Sequence, residues 1–117
     1  MEIQQICSLL EIDWQACVSR FSGNEGLYRR FLFRFPQDET WEQLVRAWEQ
    51  QDIPGVERGA HTLKGIAANL GLARLQADSA AVVDAVRAGR TEELPALMEQ
   101  LTASCRLARE ILPQPVD

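Results

Sequence analysis

The chain has little basic charge to spare. Its 17 aspartates and glutamates outnumber 12 lysines and arginines, giving a formal net charge of −5 at pH 7 and a pI near 4.9. A general electrostatic grip on a phosphate backbone or an anionic lipid surface needs a basic face, so neither nucleic acid nor direct membrane contact is expected. No apolar run approaches the roughly 20 residues of a membrane span, and Met1-Glu2-Ile3-Gln4-Gln5 lacks the basic start and long apolar stretch of a signal peptide. A cytoplasmic location is the expectation. Cysteine is scarce as well: Cys7, Cys17 and Cys105 are odd in number, show no CxxC spacing and sit among apolar residues, which suits buried thiols in a reducing compartment. With one histidine in 117 residues, the chain falls short of the about four soft or imidazole ligands that a zinc site requires, and no metal site is expected.

What is present is helical periodicity. Hydrophobic residues make up 46% of the 117, too many for intrinsic disorder, and the length suits one domain, taken here as residues 1–117 with a core over about residues 12–112. Apolar residues recur at spacings of three and four from one end to the other, with no sustained alternation of period two, so the fold class expected is all-α. Ile3, Ile6 and Leu10, then Trp14, Cys17, Val18 and Phe21 behind an Asp13 cap, form two short amphipathic pieces. Ser22 with Glu25 three residues on has the form of a capping box ahead of a helix that Pro36 ends. Thr40 can cap the next helix, which places Trp41, Leu44, Val45 and Trp48 on one stripe.

Asp52 and Pro54 then start a helix that runs to Gly71, and a second continues to about Ala88, giving a tightly turned hairpin. Thr91 opens the last helix, and Pro113 to Asp117 should fray. Helices with short links and one apolar face each pack most economically as an antiparallel four-helix bundle, with the short N-terminal helices covering one end. With all the apolar stripes spent on one core, a monomer is expected.

One segment does more than pack. Val56, Gly59 or Ala60, Leu63, Ile66 or Ala67, and Leu70 make its core side, with Gly59 suited to close helix approach and Ile66 expected to point inward. His61 lies about 200° round from Leu63 and should face solvent. Lys64 and Gly65 follow at i+3 and i+4, on the same face. A mid-helix glycine costs about 1 kcal/mol relative to alanine, and Gly65 gains no core packing in return. Bare backbone beside an exposed imidazole lets another macromolecule come close, and the Lys64 ammonium offers charge to an incoming anion. Neutral imidazole is a nitrogen nucleophile near pH 7, and a neighbouring cation favours that form. The same residues also admit a plain reading as a solvated histidine and lysine on a surface helix. Acid or base catalysis by His61 alone lacks a nearby serine or cysteine nucleophile.

The string His61-Thr62-Leu63-Lys64-Gly65-Ile66-Ala67-Ala68-Asn69-Leu70-Gly71 closely resembles the His-x-Leu-Lys-Gly-x-Ala-x-x-Leu-Gly signature of histidine-containing phosphotransfer (HPt) domains. Ile12-Asp13, the run from Phe21 to Tyr28 and the helix order extend the similarity over roughly residues 12–112. The resemblance implies a phosphocarrier without kinase activity of its own. His61 would take a phosphoryl group from a receiver-domain aspartate and pass it to another, Lys64 would stabilise the phosphate, and Gly65 would admit the partner. The implied partners are response-regulator receiver domains and a hybrid sensor histidine kinase, of which this chain could itself be a cytoplasmic domain. Mg²⁺ would sit on the receiver, so no cofactor is expected here.

Arg58, Ala68 and Leu72 are nominated for the docking surface. The stretch from Ala80 to Val83 lacks the polar side chain that some relatives set beside the histidine, leaving Asp84, Arg87, Glu57 and Arg58 as candidates to contact ring or phosphate. Two rival readings are a histidine-bearing domain phosphorylated by a chemotaxis-type kinase and a helical adaptor that carries no phosphate.

Overall fold

The computed structural model describes residues 1–112, so the Pro113 to Asp117 tail lies outside the described residues. Within them the chain forms α1 (Ile3–Leu10), α2 (Trp14–Arg20), α3 (Glu25–Arg34), α4 (Thr40–Glu49), α5 (Ile53–Leu70), α6 (Ala73–Arg87) and α7 (Leu94–Ile111). Short 3₁₀ turns, Phe35–Gln37 and Thr91–Glu93, precede α4 and α7, and no strand occurs among the described residues. The all-α bundle expected from periodicity is what forms. α5 lies between α4 and α6, α6 packs on α7, and α1 to α3 close over the bundle through contacts of α1 with α7 and of α3 with α5. One cluster of buried side chains runs through all of it, with Leu32, Leu44, Val56, Leu63, Val82, Leu94 and Leu101 fully buried.

Local chemistry fixes both ends of α5. At its start the Asp52 carboxylate accepts from the Gly55 N–H at 3.1 Å, and Pro54 occupies the first turn, where a missing N–H costs nothing. At its end Gly71 takes φ +77, and the Leu72 N–H donates back to the Ala67 carbonyl at 2.9 Å in a Schellman turn. The last carbonyls are also capped from outside the helix. The Tyr28 hydroxyl donates to Leu70 O at 2.7 Å, the Cys17 thiol approaches the same oxygen at 3.7 Å, and Arg20 donates to Ala68 O at 3.1 Å. Trp14 and Phe21 pack on the Tyr28 ring. Burial holds the Tyr28 phenol and the Cys105 thiol neutral, pushing the thiol up to about 12. All three cysteines are free thiols, Cys17 and Cys105 buried and Cys7 half-buried.

Three boundaries depart from the sequence reading. Asn24, not Ser22, caps α3, its side chain accepting from the Leu27 N–H at 3.0 Å. Ser22 and Gly23 both take positive φ in the preceding turn, which carries the serine away from the helix start. Thr40 is the first residue of α4 and not its cap; the Asp38 carboxylate instead accepts from the Thr40 N–H at 2.8 Å. Thr91 lies in the 3₁₀ turn, and α7 proper starts at Leu94 with Pro95 in its first turn.

Candidate functional site

The 18 residues of α5 present two faces. Val56, Ala60, Leu63, Ala67 and Leu70 are buried, and Val56, Leu63 and Leu70 each anchor the helix by the roughly 1.5–3 kcal/mol that full burial of a large aliphatic side chain supplies. His61, Gly65 and Arg58 are exposed on the other face, where Lys64 and Ala68 are half-buried. Because helical residues three and four apart are neighbours, His61, Lys64, Gly65 and Ala68 form one continuous strip. A Cβ built on Gly65 would meet nothing within 4 Å, so the glycine leaves open space beside the imidazole and not a packing slot. Gly59 is the opposite case: a Cβ there would come within 3.1–3.3 Å of Leu44. Close approach of α4 and α5 needs that glycine, as its spacing suggested.

Lys64 is the single lysine of the chain, beside its single histidine, while the other eleven cations of the 12 are arginines. Among the described residues its ammonium enters no ion pair and the His61 ring no hydrogen bond to protein, which leaves both groups to an incoming ligand. An ammonium on a flexible stem can follow a phosphoryl group as it arrives and leaves, which a planar guanidinium does less readily.

The neighbours nominated from sequence divide. Arg58 lines a polar cleft of about 340 Å³ between α4 and α5, with Arg46, Gln43 and Thr62 among its walls, so positive charge borders the His61 face. Asp84 is exposed on α6. Glu57 and Arg87 do not reach for the imidazole: Arg87 Nε donates to Glu57 Oε1 at 3.0 Å, tying α6 to α5 one turn before His61. Leu72 is only 2% exposed and cannot serve docking. Counting turns along the His61 face carries to residue 72 only if the helix continues, whereas the left-handed Gly71 reverses the chain and drops Leu72 into the core.

Ile66 meets its expectation in part. It packs against the edge of the core but stays half-buried, its outer side at the wall of a groove of about 420 Å³ shared with Phe31, Arg34, Phe35, Asn69 and Leu70. Phe31 is 45% exposed although its spacing from Tyr28 and Leu32 is that of a core position. No group of three or more histidine, cysteine, aspartate or glutamate side chains suited to holding a metal ion occurs among the described residues. No helix among them is long and apolar enough to cross a membrane.

Among the described residues, an exposed imidazole, an ammonium without an ion pair and open space over a glycine thus share one face of α5 in the middle of the helix. The Hpt domain family model matches residues 32–111, and the chain belongs to that family. Hpt domains are phosphocarriers of two-component systems that work with receiver domains. No curated protein and no solved structure is matched by the chain.

Proposed function

We propose that this chain is a phosphorelay intermediate whose phosphoacceptor is His61. An unprotonated ring nitrogen attacks the phosphorus of an aspartyl phosphate on a receiver domain. The bond from phosphorus to the aspartyl oxygen breaks, the carboxylate leaves with the electron pair, and the other ring nitrogen keeps its proton. Attack by the carboxylate of a second receiver reverses these steps and regenerates the neutral ring. Lys64 balances the phosphoryl charge on both sides of the transfer, and Gly65 lets the receiver's acidic site reach the ring. Mg²⁺ and the residues that activate the phosphoaspartate belong to the receiver, so this chain needs no cofactor and catalyses no phosphorylation from ATP. A hybrid sensor kinase at the start of the relay, a cytoplasmic location and a monomeric carrier complete the reading. Arg58 and Ala68 remain the proposed docking residues.

The observation that carries this proposal is the open space over Gly65 beside an exposed His61, in a chain of the Hpt family. Incubation with a phosphorylated receiver domain and, separately, with a histidine-kinase core and ATP tests it. Label from the receiver alone is the expected result. Label from the kinase core alone would assign the chain to a chemotaxis-type kinase, and label from neither would make it an adaptor.

A further inference from the structure

The Glu57–Arg87 pair is the one side-chain ion pair that joins α5 to α6 among the described residues, and it lies on the His61 face. Glu57 is four residues before His61, which puts their Cβ atoms roughly 6 Å apart. It is the single carboxylate on α5 itself, since Asp52 is the cap residue before the helix. A free carboxylate there would oppose the approach of a phosphoryl anion to the ring. The guanidinium of Arg87, donated from the last turn of α6, sits on that carboxylate at 3.0 Å. Arg58 and Lys64 share α5 with His61, Arg46 on α4 lines the cleft beside Arg58, and Asp84 is exposed on α6; none of them is ion-paired among the described residues.

We infer that Arg87 is a positioning residue for phosphoryl transfer: it masks and holds aside the Glu57 carboxylate so that the field at His61 stays favourable to an incoming phosphoryl group. It acts through Glu57 and touches neither the ring nor the phosphate. The pair is largely exposed, with Arg87 56% and Glu57 32% accessible, so its worth to folding is small and its variants fold. The inference rests on His61 being the phosphoacceptor, but its test does not need a receiver.

Phosphoramidate, a small anionic donor, supplies the probe: a ring nitrogen attacks its phosphorus, the phosphorus–nitrogen bond breaks, and ammonia leaves with the electron pair. At low ionic strength, Arg87→Ala should label about two- to threefold more slowly than wild type, from one unmasked charge at about 6 Å in a watery setting. Glu57→Gln should label faster than wild type, Arg87→Ala/Glu57→Gln should return to the wild-type rate, and Arg87→Lys should keep it. About 0.5 M salt should compress all four rates together. A slow double variant, or rates indifferent to salt, would overturn the inference, since Arg87 would then act directly or only through folding. The predicted order with phosphoramidate but no label from any receiver would refute the relay reading and leave this one standing. Transfer from receivers with no such order would do the reverse, and a wild type inert to both donors would overturn both.

Discussion

Gly59 and Gly65 sit in the same helix and lack the same atom, for opposite reasons. At Gly59 the missing Cβ is filled by a neighbour, Leu44, whose Cα, Cβ and Cδ1 would all stand within 3.1–3.3 Å of it. At Gly65 the missing Cβ is filled by nothing within 4 Å. Neither residue has positive φ, so backbone conformation demands glycine at neither place. The first glycine is explained by the fold. The second gains no packing from the fold, and the proposed function assigns it to the approach of a partner, which makes the pair an internal control for that proposal.

The largest effect should come from closing the first gap. Gly59→Ala gains helix propensity of about 1 kcal/mol, but the overpacking of a filled site costs about 1–3 kcal/mol. Leu44 is fully buried and one of the opposed atoms is its Cα, so α4 itself must move. A net loss of about 1 kcal/mol is expected, read as a lower urea midpoint with unchanged slope. Gly65→Ala should do the reverse and stabilise by about 0.5–1 kcal/mol, since an alanine there gains propensity and meets no atom. The same variant should slow transfer from a phosphorylated receiver while leaving phosphoramidate labelling near the wild-type rate, because only the large donor needs the space. Loss of stability in Gly65→Ala would erase the contrast between the two glycines.

A separate, pH-dependent effect is expected on the alkaline side, from the buried side of the molecule. Burial holds the Cys105 thiol neutral until about 12, against its ordinary value of 9.0. The folded state therefore keeps a proton that the unfolded chain releases, so this contribution is fully present below pH 9 and declines as pH rises from 9 towards 12. Cys105→Ala should flatten part of that decline in a series of urea titrations. An equally steep decline in the variant would assign it to other groups, Tyr28 first among them, since burial raises its phenol in the same direction.

The comparison also explains what the sequence could and could not disclose. α5 was legible because its limits are written locally, in Asp52, Pro54 and Gly71, and its two faces follow from helical spacing alone. His61, Lys64 and Gly65 were legible as one strip for the same reason. Leu72 was misread because spacing counts straight through a turn that reverses the chain. Ile66 packs on the core as its spacing suggests, but the groove on its outer side is completed by Phe31 from α3, a neighbour that no spacing within α5 reveals. The Tyr28 bond to Leu70 and the Arg87 bond to Glu57 span 42 and 30 residues, and are visible only once the helices are packed. Capping of α3 was ambiguous because Ser22 and Asn24 are both competent caps, and the positive φ of Ser22 and Gly23 decided between them.

The most direct test of the central claim is a single-turnover transfer from a phosphorylated receiver domain to wild type and to His61→Gln, with thermal unfolding followed in parallel. His61 is exposed and among the described residues makes no hydrogen bond to protein, so the substitution should change stability by less than about 0.5 kcal/mol. The account predicts acid-labile, alkali-stable label on the wild type and none on His61→Gln. Equal labelling of the two proteins would contradict it.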